Sequence, residues 1–379
     1  MKVITRQFTK EILSTTAFAL VVLVALFAFF DFVGQLDNIS GGRSVKDAFL
    51  LTGLTLPLRV YQVMPLAALL ASVYTMSRWA ASSEFTVLRV AGLSPWRLTL
   101  SMSLSAVVLV ALTYWVGEYI ASPAEKYSIE LKTSSKSVQL KAKGYSSGVW
   151  LRDVYVDPAS GKLNRFINVS YIVAKDDRKT GPWRVFEFDQ EGSLRRMITA
   201  KAAQYDPANG WQLSQVKLNE YPTVAKGDPE KVASLRVKTQ TVDTLVFKST
   251  LGADILSVFT SRPDDMSMRD LSRFIEHLKA NDQDTTKYDA AFWTKVFYPL
   301  GTLVMLMLSM PFAYMNVRSG GMAIKMFVGI IIGIVYYALS NIFSYLGVST
   351  SLPAMWAALL PTLAMLIAGA IALYFVERR

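Results

Sequence analysis

Apolar and polar positions alternate on two different scales along this chain of 379 residues. Residues 14–30, 48–76 and 98–119 form near-continuous apolar runs, and 290–314, 322–343 and 352–375 form three more. A helix needs about 17–25 such residues to cross a bilayer, so all six read as membrane-spanning helices. The first run follows Lys2, Arg6 and Lys10 and imitates a secretory signal. Its core is too long and no small-residue cleavage site follows, so a retained first span with a cytoplasmic N-terminus is expected.

Between the third and fourth runs the period falls to two. Residues 149–156, 165–173, 183–188, 211–218 and 235–247 predict strands, bounded by Asp-Pro-Ala-Ser-Gly at 157–161, Lys-Thr-Gly-Pro at 179–182 and Asp-Pro-Ala-Asn-Gly at 206–210. Short strands at this spacing predict an antiparallel sandwich or jelly roll. Residues 267–280 then turn helical, with Ser267 and Asp270 spaced as a capping box and Leu271, Phe274, Ile275 and Leu278 on one face.

Residues 82–97, between the second and third runs, are punctuated as a short helix and the start of another. Ser82 or Ser83 caps the first, Glu84 suits its positive end, Gly92 stops it, and Ser94-Pro95 opens the next. Arg78, Arg89 and Arg97 around this stretch, Arg318 and Lys325 around the fourth loop, and Arg378 and Arg379 at the end place these loops in the cytoplasm. The sheet domain is then extracytoplasmic.

Hydrophobic residues make up 52% of the chain and the net charge is +11, which suits a membrane protein with an anionic partner such as phosphate or lipid headgroups. There is no cysteine, which excludes disulfides, thiolate metal sites and a cysteine nucleophile. One histidine, His277, excludes histidine-cluster zinc sites and a histidine-based triad; it falls on the polar side of its helix, where a surface role is expected. No phosphate loop, metalloprotease H-E-x-x-H or G-x-S-x-G elbow occurs. The chain is therefore expected to be non-catalytic, without cofactor or metal. A capped helix on the ATP-bearing side suits a knob for a groove on a partner ATPase, with Phe85, Leu88 and Gly92 along one side of it.

Arg59 lies well inside the second run, and a charge there lines a cavity, binds something or snorkels to the headgroups. Lys295 is nearer the end of the fourth run, where snorkelling explains it, and Asp31 ends the first, with its pairing to Arg59 left open by the sequence. Phe27, Phe30, Tyr336 and Tyr337 either line a path for acyl chains or face lipid and neighbouring helices. Gly329 and Gly333 form a G-x-x-x-G pair that allows close helix approach.

Glu84 to Arg97 with Ala-Gly-Leu-Ser at 91–94, Pro-Leu-Ala-Ala-Leu-Leu at 65–70, Gly-Glu at 117–118 and Trp-Thr-Lys-Val-Phe-Tyr-Pro-Leu at 293–300 together resemble the LptF/LptG permeases. Residues 283–288 tilt the likeness to the LptG branch. The resemblance runs in order through essentially the whole chain. It implies a permease half that pairs with an LptF-type partner, sits on an LptB-type ATPase dimer, takes lipopolysaccharide from the outer leaflet of the bacterial inner membrane and passes it through its jelly roll towards LptC. It also implies that Glu84 and Arg89 belong to the ATPase contact and that the first and fifth spans are lateral gates, with Phe27, Phe30 and Tyr337 touching acyl chains. The chain departs from the family where some LptG proteins carry lysines after the first span: here stand Asp31, Asp37 and Asn38. Arg59, Arg43, Lys46 or Lys132 would then supply the charge for lipid phosphates.

Two other function classes compete. A mechanotransmission permease passes ATP-driven motion to a periplasmic partner, but the three-plus-three arrangement argues against it. An enzyme acting on lipid-linked sugars would show carboxylates or histidines clustered at one membrane face, which this sequence lacks. The expected architecture is a six-helix membrane protein with an inserted all-β, jelly-roll-like periplasmic domain. Residues 1–122 hold three spans and a coupling helix at 82–92, residues 123–289 the β domain and amphipathic helix, and residues 290–379 three spans. No nucleic-acid partner is expected.

Overall fold

The computed structural model describes residues 2–36, 44–82, 95–134, 139–140, 148–157, 161–173, 176–222, 237–258, 262–314 and 321–377. The chain divides into two compact units: residues 1–125, 267–271 and 286–379, and residues 126–266 and 272–285.

The first unit is helical. Its elements are α1 (Lys2–Leu36), α2 (Val45–Ala81), α3 (Pro95–Val116), a π-helical turn (Gly117–Ala121), the start of α4 (Ser122–Ser134), α7 (Thr286–Leu308), the short α8 (Pro311–Tyr314), α9 (Met322–Ser349) and α10 (Ala354–Glu377). Six apolar stretches of these helices are long enough to cross a membrane, three before the sheet and three after it. The capping box that starts α2 is built by Ser44 and Asp47, satisfying N–H groups that a helix leaves unpaired at its start. Pro57, Pro65, Pro299 and Pro361 lie inside α2, α7 and α10, as spanning helices tolerate.

Burial separates the faces of these helices. Phe8, Ile12, Met64, Met76, Trp79, Met102, Leu306 and Leu373 form one core, and Leu69, Val73, Met305, Phe312 and Tyr336 are central to another. Outward-facing residues remain strongly apolar, including Phe18, Val21, Phe29, Ile334 and Phe375, the reverse of a water-soluble surface and the condition for facing lipid.

Among the described residues the second unit carries ten strands, β1 (Gln139–Leu140), β2 (Val149–Asp157), β3 (Gly161–Val169), β4 (Ile172–Val173), β5 (Asp176–Thr180), β6 (Trp183–Phe188), β7 (Leu194–Ala200), β8 (Ala202–Asp206), β9 (Gly210–Glu220) and β10 (Lys238–Phe247). They form a curled antiparallel half-barrel in the order β1-β4-β5-β8-β9-β7-β6-β3-β2, with β10 also paired to β9. β9 is the branch point: β10 follows one edge along its length, while β8 takes residues 210–214 and β7 residues 217–220 of the other. Gln215, with φ of 50°, bends the strand where the partner changes.

Period-two burial builds the core of this unit. Trp183 and Trp211 lie buried 4.9 Å apart, centroid to centroid, against Val185, Leu213 and Phe247. Their indole N–H groups donate to Thr180 Oγ1 at 2.6 Å and to the Leu251 carbonyl at 2.7 Å. The short α5 (Ala253–Val258) follows β10.

Three sequence expectations change. The run expected as one strand over 165–173 is two strands, broken at Ser170 and Tyr171. β1, β5, β7 and β8 were not expected: Lys179 and Thr180, expected in a turn, end β5, and adjacent Arg195 and Arg196 and the short Ala-Ala-Gln-Tyr-Asp stretch obscure alternation in β7 and β8. His277, expected at the surface, is buried in α6 (Met268–Ala280). One face holds Phe274, His277, Leu278 and Asn281 together; Asn281 Nδ2 donates to the His277 carbonyl at 2.9 Å, and its Oδ1 accepts from Val154 N–H at 2.9 Å.

Candidate functional site

A helix can carry a charge through an apolar layer only if the charge is paired or hydrogen-bonded. Arg59 meets this demand twice. Its Nε and Nη2 donate to the two carboxylate oxygens of Asp31 at 2.7 and 2.6 Å, a bidentate pair, and Nη1 donates to Gln62 Oε1 at 3.0 Å. Gln62 is three residues on in α2, on the same helical face. The guanidinium also lies 5.6 Å from the Phe27 ring centroid. Asp31 is 18% exposed and Arg59 32%, so the pair is accessible from outside the bundle.

This cluster continues into the bundle. Tyr298 donates through its hydroxyl to the Gln62 carbonyl and stacks, tilted, on Tyr61 at 4.9 Å. Lys295, expected to snorkel, sits over the Tyr61 ring at 6.0 Å. Tyr61, Tyr114, Gly117, Glu118, Met268, Lys295 and Pro299 line a small recess. Gly117 is required there: a Cβ would come 2.6 Å from the Tyr61 ring. The π-helical turn that begins at Gly117 turns Glu118 onto the first turn of α6, where the Met268 and Arg269 N–H groups donate to its carboxylate at 2.9 and 3.4 Å. Ser267 Oγ takes the Asp270 N–H at 3.1 Å. The first N–H groups of α6 are thus capped by two side chains, with a carboxylate at the positive helix end.

The predicted substrate residues divide. Phe27 and Arg59 meet directly. Phe30 and Tyr337 project outward from α1 and α9, 61% and 58% exposed. Tyr336, one residue away, is buried between helices, with its hydroxyl 3.3 Å from Thr362 Oγ1. Lys132 lies in α4, with its side chain outside the described residues, as is Arg43 entirely. Lys46 is exposed in the first turn of α2. Glu84, Phe85, Leu88, Arg89 and Gly92 also lie outside the described residues.

Sequence reasoning left the pairing of Asp31 with Arg59 open and missed Gln62, Tyr298 and the capping role of Glu118. The three-residue step from Arg59 to Gln62 was available as a signal. The partners contributed by α1 and α7 were not, because they are remote in sequence.

Chemically, a bidentate guanidinium accepts a carboxylate or a phosphate with the same donor fork. Asp31 occupies that fork here, so the arrangement holds α1 against α2.

Comparison with known proteins accounts for this architecture. The lipopolysaccharide export system permease protein LptG of Escherichia coli (strain K12) is 28% identical over 362 residues, covering 95% of this chain and 94% of that protein. The protein of the same name from Haemophilus influenzae is 27% identical over 364 residues, covering 96% and 95%. A family model described as lipopolysaccharide export system permease LptF/LptG matches residues 6–375. Six membrane-capable helices around an inserted sheet, matched from end to end, make this chain a member of the lipopolysaccharide export system permease LptF/LptG family.

Proposed function

We propose that this chain is the LptG-type permease subunit of an ABC transporter that extracts lipopolysaccharide from the outer leaflet of the bacterial inner membrane. The observation that carries the reading is the end-to-end family match over residues 6–375. In this reading the chain catalyses no reaction itself. An LptB-type ATPase dimer binds the cytoplasmic stretch 82–92, an LptF-type partner completes the membrane path, and the β domain stands in the periplasm and hands the lipid towards LptC. Both termini are cytoplasmic, by the distribution of basic residues.

The Arg59 cluster supports a place for an anionic headgroup. A lipid phosphate takes the guanidinium by displacing Asp31, and Phe27, Phe30 and Tyr337 supply apolar surface for acyl chains. Lys132, Lys46 and Arg43 remain further candidates for phosphate charge.

The test is co-expression with LptB-type and LptF-type subunits, followed by analysis of the bound lipid and of its ATP-dependent release to a periplasmic acceptor. Co-purifying lipopolysaccharide, released on ATP hydrolysis, is expected. A complex that assembles and hydrolyses ATP yet carries and releases none overturns the reading. In the same assay Glu84→Ala is expected to weaken ATPase retention or separate hydrolysis from release. Normal association together with normal release would remove Glu84 from the coupling surface.

A further inference from the structure

Glu11 is an acidic residue near the start of a spanning helix, ahead of the long apolar run of α1. Its two carboxylate oxygens are used separately. Oε2 accepts the indole N–H of Trp79 at 2.6 Å, and Oε1 pairs with Arg78 Nη2 at 2.9 Å. The two interactions differ in weight. Arg78 is 53% exposed, and an ion pair of that kind contributes little. Trp79 is 4% exposed, so its hydrogen bond to an ionised acceptor is the buried, charge-assisted one.

Around this bond the contact is tight. Phe8 meets the Trp79 ring edge to face at 4.4 Å, and Phe8 and Ile12 are fully buried beside Met76 and Met102. Further along α1 the character reverses: Phe18, Val21, Phe29 and Phe30 are 61–70% exposed. A second polar attachment of α1 is made by Asp31, on Arg59. Glu11 and Asp31 are twenty residues apart on α1, and Arg59 and Trp79 are twenty apart on α2. The two helices therefore run antiparallel without slip, joined at two polar points about 30 Å apart at 1.5 Å per residue.

Trp79 also lies at the last turn of α2, which ends at Ala81 with Ser82 as its cap. Ser82 is three residues beyond Trp79, within one helical turn of it. A push or pull on the stretch after Ser82 reaches Trp79 through one helical turn.

We propose that Glu11 is a positioning residue: its carboxylate, shared between Trp79 and Arg78, is the fixed pivot that delivers displacement at the end of α2 to α1. This rests on the reading that the stretch after Ser82 receives an ATPase. With the pivot held, α1 swings as a lever whose far end is released when Asp31 leaves Arg59. Without it, α2 moves and α1 does not follow.

The test uses the assembled complex with Glu11→Gln, which keeps an acceptor for the indole and loses the ion pair, and Glu11→Ala, which loses both. The chain has no native cysteine, so spin labels placed at outward-facing Val22 on α1 and Ile367 on α10 report α1 movement cleanly. A change in this distance between nucleotide-free and nucleotide-trapped wild type is expected. In Glu11→Ala the change is lost and lipid release falls about tenfold, while ATP hydrolysis stays within about twofold; Glu11→Gln falls between. A distance change of wild-type size in Glu11→Ala overturns the proposal, as does a wild-type α1 that does not respond to nucleotide. Joint loss of assembly and hydrolysis in both variants also overturns it, because Glu11 is then only a structural anchor. If α1 moves through Glu11 but the lipid carried is not lipopolysaccharide, the pivot stands and the substrate reading falls.

Discussion

Arg165 shows how a residue that looks like surface in the sequence becomes core. It is 5% exposed on β3, with its guanidinium 3.9 Å from the Tyr155 ring centroid and 4.7 Å from that of Phe247. Nε donates to Glu187 Oε1 at 2.7 Å and Nη1 to the Lys248 carbonyl at 2.8 Å. Asp153, Arg165, Glu187 and Arg196 are direct cross-strand partners in β2, β3, β6 and β7, so opposite charges alternate across four strands. Removing Glu187 takes the shortest ion pair from the buried Arg165 guanidinium and leaves Asp153 at 3.9 Å, and Glu187→Ala is expected to cost about 3 kcal/mol. Arg196 is 35% exposed, and Arg196→Ala is expected to cost no more than about 1 kcal/mol. Thermal unfolding of the detergent-purified full chain checks the order; equal shifts for the two variants would mean the row is not held by burial. Asp153, Arg165 and Glu187 were readable as parts of expected strands, whereas Arg196 was not, because β7 was not expected. Their opposition was not, because strand pairing is set by turns and bends elsewhere in the sheet.

At the scale of the element, the G-x-x-x-G spacing in α9 was visible, but its partner was not. Gly333 faces Leu66 of α2, where an added Cβ would lie 2.4 Å from Cδ1, whereas one at Gly329 would meet Leu70 and Val73 at 3.5 and 3.6 Å. The seam is therefore tight at one glycine and ordinary at the other. Gly333→Ala is expected to force Leu66 from its rotamer and cost about 1–3 kcal/mol. Gly329→Ala should be neutral or slightly stabilising, since alanine is the better helix former. Melting temperatures of the two variants in detergent test this, and a larger loss at Gly329 would refute the assigned seam. The π-helical turn at Gly117 follows the same logic at another crossing. Its glycine is visible in the sequence, but the Tyr61 ring that demands it comes from 56 residues earlier.

For the whole molecule, the pairing of Asp31 with Arg59 makes the headgroup position conditional. Arg59→Ala is expected to reduce photo-crosslinking of lipopolysaccharide to the complex and to slow its release several-fold. Asp31→Asn, which weakens the competing anion, should raise crosslinking. Unchanged crosslinking and release in Arg59→Ala would remove Arg59 from the lipid path, and a fall in Asp31→Asn would mean that the pair holds the site open instead of occupying it. The reading made from sequence alone, that Arg59, Arg43, Lys46 or Lys132 supplies charge in place of missing lysines, left open whether Asp31 competes for Arg59.

What the sequence by itself determined is the order and kind of elements: three apolar helices, a period-two insert, an amphipathic helix and three more apolar helices. These follow from local periodicity, which needs no knowledge of neighbours, and the family resemblance rested on stretches read in the same linear order. Tertiary structure decided which polar groups meet. Asp31 finds Arg59, Glu11 finds Trp79, Glu118 caps α6, and His277 turns inward with Asn281. In each of the first three cases the partners lie on separate helices, and the reason they meet is physical: a charge or N–H group taken out of water must find a partner. Helix crossing, which no local pattern specifies, selects the partner that is there.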